Sequence, residues 1–442
     1  MSIYKACDIR GVYGQDLTEA DAYRIGRAAA DRMAGRSVVV GGDFRVSTPA
    51  LKEQFIRGLL QGGAQVTDVG KVSTPQLYFS KAYLGAYASV QITASHNPAK
   101  YNGVKLMFGE WPIEPADIER LKTAVETESY LDRPGGSLTK ADTTVPYEAM
   151  LTDAFRGGAR RGHIVIDAGN GAMGEVAPRV MEKLGFRITR LFCEIDGAFP
   201  GRDPNPAVVS NLTALCEKVR EVNADFGAAF DGDGDRVIFV DGCGVPLSAE
   251  EAMVLLSKHL LEAGDSFVYD IKCSSIVRNT VRAMGCTPVM ERSGHAFIRR
   301  TFMERNSRLA GEVSGHHFFR ELQGDDGLFA LVKMAELFSL STGSLRDALV
   351  DVQYPAITPD IRTKATNEEV DRVFARMEQW AARETEAQVS RLDGIRMEFP
   401  DGSWVLLRRS VTEPLYTLRM EAGDAAALNA LEKTVWEKLG KE

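Results

Sequence analysis

No two of the six cysteines in this 442-residue chain are spaced as CxxC, and none of Cys7, Cys193, Cys216, Cys243, Cys273 and Cys286 falls into a zinc-ligand pattern. That excludes a disulfide framework and a thiolate zinc site, and leaves reduced, mostly buried thiols in a cytoplasmic protein as the expectation. Long basic runs are also missing, and the formal charge is -8, so there is no electrostatic footprint for nucleic acid. No uninterrupted apolar stretch reaches membrane-spanning length, and the opening MSIYKACDIRG lacks the apolar core of a signal peptide. Neither a nucleic-acid partner nor a membrane is expected. What remains is ordinary globular composition, 44% apolar and 26% charged with 41 glycines, in a chain too long for a single core.

Short apolar runs alternate with helical periodicity in a unit that recurs. The first unit has SVVVGGD (37–43), a helix carrying Leu51, Phe55, Leu59 and Leu60 on one face, then QVTDVG and ASVQITASHNP. The second has HIVIDAGNG (163–171), helix EVAPRVMEKLG, strand FRITRLF, helix LTALCEKVREVN and strand DFGAAFDGDGDR. The third has SFVYDIK (266–272), helix SSIVRNTVRAMG, strand CTPVME and then RLAGEVSGHHFF, whose cluster Glu312 to His316 comes off the end of the last strand. A last segment, with helix NEEVDRVFARMEQWAARE and strands GIRMEF and SWVLLRR, reads as a smaller α+β unit. The expectation is three similar α/β domains with mixed, mostly parallel sheets (1–143, 144–242, 243–352) plus a C-terminal α+β domain (353–442). Each unit sends a polar cluster off its last strand, which places the active site in a central cleft beyond the strand ends.

DGDGDRVIFVDGCG sets Asp231, Asp233 and Asp235 at alternate positions, with Gly232 and Gly234 free to adopt unusual backbone angles. Such a loop can turn three carboxylates around one cation, and oxygen donors select a hard ion such as magnesium over zinc. A solvated hairpin turn would crowd like charges with nothing to offset them. An EF-hand fails because Arg236 stands where glycine belongs and Gly242 where the bidentate glutamate belongs.

Ser95 and His96 are adjacent in TASHNP, but there is no GxSxG elbow to suggest a hydrolase. A serine that carries phosphate fits better: its oxygens could complete the coordination that three aspartates leave open, with Arg10, Arg45, Lys100 and Lys105 available as counter-charge. GxGxxG at Gly169–Gly174, with Glu194 about twenty residues on, raises a dinucleotide-binding alternative. Nothing else in the chain handles a nicotinamide, and tight packing at a strand–helix turn is the better role.

TASHNP, DGDGDR, GEVSGH and RRSVTEP, in this order and at these separations, resemble the signature loops of the α-D-phosphohexomutase superfamily, in its phosphomannomutase/phosphoglucomutase branch. The resemblance spans essentially the whole chain. It implies a phosphorylated Ser95, and Mg2+ held by Asp231, Asp233 and Asp235 together with the Ser95 phosphate. It implies Arg10, Lys105 and Arg236 as catalytic groups around the transferring phosphoryl, with Arg45 structural. Glu312, Ser314, Lys272 and His295 would bind the sugar, and His316 would be the general acid/base because histidine titrates near neutrality. His317 would pack or cap. Arg408, Ser410 and Thr412 would grip the non-transferring phosphate. Cys7, Arg409 and Val411 depart from the family's pattern. The implied activity interconverts hexose 1-phosphate and hexose 6-phosphate, of mannose or glucose, through a hexose 1,6-bisphosphate that also serves as activator. Small-molecule hexose phosphates are the implied partners. A phosphoglucosamine mutase and a non-catalytic sugar-phosphate-binding protein are the alternatives.

Overall fold

The computed structural model describes residues 2–410 and 415–440. The valines of SVVVGG are fully buried in the strand Ser37–Gly42, at the middle of the first sheet. That strand runs parallel to Gln65–Lys71 and Ala88–Ile92, while Tyr101–Phe108 returns antiparallel and carries Ile9–Val12 on its far side. The second sheet has parallel strands Arg187–Leu191, His163–Asp167 and Phe226–Phe230, closed by antiparallel Val237–Asp241. The third sets Thr287–Glu291, Ser266–Asp270 and Leu309–Gly311 parallel, followed by antiparallel His317–Phe319 and Gly324–Asp325. Every pairing in the fourth sheet is antiparallel, around Trp404–Arg409 and Leu415–Ala422. Three α/β layers with mixed sheets and a C-terminal α+β layer are thus the architecture.

Lys105 lies within the strand Tyr101–Phe108, where Val104, Leu106 and Met107 are buried. RLAGEVSGHHFF is a hairpin, Leu309–Gly311 with His317–Phe319, since the glycine at 315 takes φ 96° and reverses the chain. The helices Ala249–Leu260 and Gly327–Leu340 lack a clean polar face because almost all their residues are buried between the second and third sheets. One hydrophobic core is therefore continuous from Tyr147 to Leu349, with Phe226 against Phe338 across it, while the first and fourth layers keep their own cores. Among the described residues no helix is long and apolar enough to cross a membrane.

The fourth layer docks on the third through a buried polar seam. Trp404 is fully buried beside Ile271 and Leu406. Its Nε1 donates to Glu421 (2.9 Å), whose carboxylate also accepts from the backbone N–H of Ser275 at 3.1 Å. Arg419 reaches Glu250 at 3.1 Å, and Arg396 donates to the Ile271 carbonyl at 2.5 Å. Because Glu421→Ala strands two buried donors, it is expected to cost about 1–3 kcal/mol. Urea unfolding should show a lower midpoint, and small-angle scattering a larger radius of gyration as the fourth layer loosens. An unchanged profile in both would remove Glu421 from the seam.

Candidate active site

The serine loop is held in shape from below by one arginine. Arg45 is fully buried, and its guanidinium donates to the carbonyls of Ser95 (2.7 Å), Asn97 (2.6 Å), Pro98 (2.9 Å) and Tyr101 (3.2 Å), and to the Asp43 carboxylate at 3.0 Å. Asp43 in turn accepts from Thr93 Oγ1 at 2.6 Å, and Thr93 Oγ1 accepts from the Ser95 N–H at 2.9 Å. This clamp keeps Ser95 at φ 50°, a left-handed conformation uncommon for a residue with a Cβ. Its hydroxyl is thereby aimed across the layer boundary, where it donates to Asp231 Oδ2 at 2.8 Å.

The three aspartates sit between the antiparallel strands Phe226–Phe230 and Val237–Asp241, and none has solvent exposure. Asp231 Oδ1 accepts from the N–H groups of Gly234 (2.9 Å) and Arg236 (3.3 Å). Asp233 Oδ2 accepts from Thr74 Oγ1 at 2.6 Å and from Lys105 Nζ at 2.8 Å, and Lys105 reaches Asp235 Oδ2 at 2.5 Å. Burial works against the Lys105 charge, but Asp233 and Asp235 outweigh it and hold the ammonium well above its usual range. Burial, then Asp235 and Asp233, push Asp231 well up. Asp235 goes the other way, because Lys105 and His316 overcome its burial.

A divalent cation fits this donor set. One carboxylate oxygen from each aspartate lies within 4.8 Å of the others, and Asp233 Oδ1 is buried without a hydrogen-bond partner. All the donors are hard oxygens, and a cation would relieve the like-charge crowding that burial imposes.

The third loop is joined to the acidic one by backbone pairing, with Val237 N–H on the Gly315 carbonyl and a bridge between Arg236 and His316. His316 Nε2 lies 3.3 Å from Asp235 Oδ1, and its Nδ1 lies 3.2 Å from Glu312 and 3.0 Å from Ser314 Oγ. Burial opposes its charge, but Asp235 and the hydrogen bonds to Asp235 and Glu312 raise its pKa to about 10. Glu312 falls to about 2: burial would raise it, and the His316 hydrogen bond and charge, with Arg236 and Lys272, prevail. The two carboxylates flanking His316 thus favour the charged form of its imidazole. His317 is buried in the core against Phe239 and pushed down to about 3, chiefly by burial.

The cleft between these loops encloses about 380 Å³. Arg10, Ser95, Lys105, Arg236, His295, Glu312, His316 and Arg408 all line it. Arg10 is tied to Asn97 at 2.8 Å, Arg408 to Asp393 at 2.7 Å, and His295 Nε2 to Asp325 at 2.8 Å. Ser314, Lys272 and Ser410 are not among the lining residues; Lys272 Nζ is 3.8 Å from Asp270 and acts on Glu312 through charge. Thr412 and Val411 lie outside the described residues. Lys100 is exposed over the Tyr101 ring and does not reach the cleft.

Sequence reasoning weighed His96 only as a hydrolase partner of Ser95, and passed over Thr74, Arg292, Arg299 and Asp325. His96 Nδ1 is 3.2 Å from Ser95 Oγ, and burial with Arg236 and Arg10 holds the imidazole neutral, well below its usual pKa. Thr74 belongs to a helix start with no local motif, and Arg299 is buried over the Tyr78 ring at 4.7 Å. Only three-dimensional proximity singles these residues out. The GxGxxG turn proves to be a packing device: a Cβ at Gly171 would stand 2.7 Å from the Gly232 carbonyl, and one at Gly174 2.3 Å from that of Cys193.

Gly232 is where the serine and acidic loops touch, since a Cβ there would meet the Ser95 carbonyl at 2.6 Å. Gly232→Ala is expected to push the two loops apart. Affinity for divalent cation, measured by calorimetry, should fall by about tenfold or more, while thermal stability shifts by only about 1–3 kcal/mol. Unaltered cation affinity would show that the two loops are not coupled.

Three family models match the chain: phosphoglucomutase/phosphomannomutase alpha/beta/alpha domain I over residues 1–132, domain II over 148–244 and domain III over 248–354. A phosphomannomutase/phosphoglucomutase of Pseudomonas aeruginosa is 36% identical over 444 residues, covering 98% of this chain and 94% of the relative. A phosphoglucomutase of Neisseria gonorrhoeae is 34% identical over 440 residues, covering 97% of this chain and 95% of the relative. Among solved structures, a phosphoglucomutase/phosphomannomutase family protein from Burkholderia thailandensis superposes with a TM-score of 0.90 at 32% identity, over 99% of this chain and 97% of the other. With a buried acidic triad and a serine hydroxyl meeting at the base of one cleft, the chain belongs to the phosphoglucomutase/phosphomannomutase family of the α-D-phosphohexomutases.

Proposed function

We propose that this chain interconverts hexose 1-phosphate and hexose 6-phosphate, of mannose or glucose, with Ser95 as the phosphoryl carrier. The observation that carries the reading is the 2.8 Å hydrogen bond from the Ser95 hydroxyl to Asp231, beside a cleft whose lining includes Arg10, Lys105, Arg236, Arg292, Arg299 and Arg408. The four domains expected from the sequence, 1–143, 144–242, 243–352 and 353–442, all contribute residues to that cleft. Phosphoserine 95 hands its phosphoryl group to the free hydroxyl of a hexose monophosphate, and the other phosphate of the resulting 1,6-bisphosphate later returns to Ser95. A bisphosphate that turns end for end needs a second anion site, which accounts for Arg408 on a separate domain.

Asp231, Asp233 and Asp235, with a phosphoryl oxygen on Ser95, would hold Mg2+. The ion would supply positive charge against the transferring phosphoryl. Arg10, Arg236 and Lys105 add fixed positive charge where negative charge is shared between donor and acceptor oxygens. His316, set between Asp235 and Glu312, serves as the general acid/base of the reversible transfer. Glu312, Ser314, His295 and Lys272 receive the sugar ring. Arg408, Ser410 and Thr412 receive the phosphate that stays on it. Glucose and mannose differ at C2 alone, so contacts to the remaining hydroxyls serve both sugars.

Ser95→Ala is expected to lower kcat by on the order of 10⁴-fold or more, even with Mg2+ and hexose 1,6-bisphosphate supplied. Intact mass should show the added phosphoryl group on the wild type and not on the variant; near-normal turnover by the variant would reject the reading. Arg408→Ala should raise KM roughly 10- to 150-fold, the equivalent of about 1.5–3 kcal/mol of charge-assisted binding, and affect kcat less. An unchanged KM in steady-state assays would remove Arg408 from the phosphate site.

A further inference from the structure

Behind the two histidines of the cleft lies a carboxylate that no sequence motif singles out. Asp325 is 2% exposed on the strand Gly324–Asp325, fixed to its neighbour by the pairing of Phe318 with Asp325. Its Oδ1 accepts from His295 Nε2 at 2.8 Å, and its Oδ2 lies 3.7 Å from His316 Nε2. The two rings stand 5.1 Å apart and inclined at 57°, so one carboxylate spans both. Through His316 it is linked to Asp235 of the acidic loop, 3.3 Å from the same Nε2.

The next residue shows what a structural aspartate looks like here. Side chains alternate along a strand, so Asp326 turns the opposite way. It caps the helix Gly327–Leu340 through the N–H groups of Leu328 (2.8 Å) and Phe329 (3.0 Å), and accepts from Tyr147 Oη at 2.7 Å. Asp326 is satisfied by scaffold donors. Asp325 faces imidazoles, and its Oδ2 has no hydrogen-bond partner. Burying a carboxylate on this wall costs free energy that a helix cap does not explain.

We propose that Asp325 is a positioning residue for the phosphoryl transfer. It keeps a proton on His295 Nε2, leaves Nδ1 as the ring nitrogen it does not engage, and sets the angle at which His316 bridges Asp235 and Glu312. A carboxylate that orients an imidazole through its far nitrogen fixes both tautomer and ring plane. The inference rests on the mutase reading for its kinetic consequence, and on geometry alone for the tautomer.

The test pairs histidine-ring ¹H–¹⁵N NMR with kinetics on the full chain. In the wild type, His295 is expected to carry its proton on Nε2. Asp325→Asn should shift the His295 ring signals and lower kcat about 10- to 100-fold, with KM changed much less. Asp325→Glu should recover part of the loss. Asp326→Asn serves as the scaffold control, expected to lower the melting temperature while leaving the His295 signals and the kcat of folded protein in place. Protonation of wild-type His295 at Nδ1 alone would overturn the proposal, and so would an Asp325→Asn variant with wild-type kcat, or one losing activity only in step with its melting temperature. Should Asp325→Asn fail to fold, the wild-type spectrum and Asp325→Glu decide. Absence of mutase turnover in the wild type would sink the functional reading and leave the tautomer result standing.

Discussion

Three carboxylates, Asp231, Asp233 and Asp235, are packed into one loop with no access to water. Burial and mutual repulsion make that arrangement unfavourable by itself, so the fold has to bring positive charge and hydrogen-bond donors to it. They come from every direction. The first layer sends Lys105 and Thr74, the acidic loop itself provides Arg236, and the third layer provides His316. The convergence of separate α/β layers on one point follows from this single electrostatic demand, and so does the fitness of the point for a cation.

The second constraint is the clamp on Ser95. A left-handed serine persists only where its surroundings over-determine it. Arg45 does so by donating to four loop carbonyls at once, at full burial, with Asp43 balancing its charge. The planar, rigid fork of arginine suits this task in a way lysine would not. A conformational cost at one residue is thus offset by hydrogen bonds spread over the loop, and the result is a hydroxyl pointed at the acidic cluster.

Packing divides these roles between a rigid body and a separable one. The second and third layers share one apolar core, so the acidic loop and the Glu312–His316 hairpin are held in fixed register. The fourth layer has its own core and meets the third through Trp404, Glu421 and a few ion pairs. Arg408 is carried on that layer, and a backbone N–H of the third, Ser293, meets its partner Asp393 at 3.1 Å.

Much of this was legible before any coordinates. Apolar runs ending in glycine and aspartate read as strands, and the strands formed; alternate aspartates separated by glycines read as a cation loop, and the carboxylates met. Arg45 read as structural and is. Local spacing carries such information because strand pleat and glycine freedom are properties of neighbours in sequence. It could not reveal that Lys105 acts from a strand or that RLAGEVSGHHFF folds back as a hairpin. Nor could it assign a charge to His316, whose state depends on Asp235 and Glu312, residues 81 and 4 positions away. The sequence by itself determined which chemical groups were available and which strands would end beside them. Tertiary structure alone decided which groups share a buried volume, because desolvation and charge act through distance in space and take no account of distance along the chain.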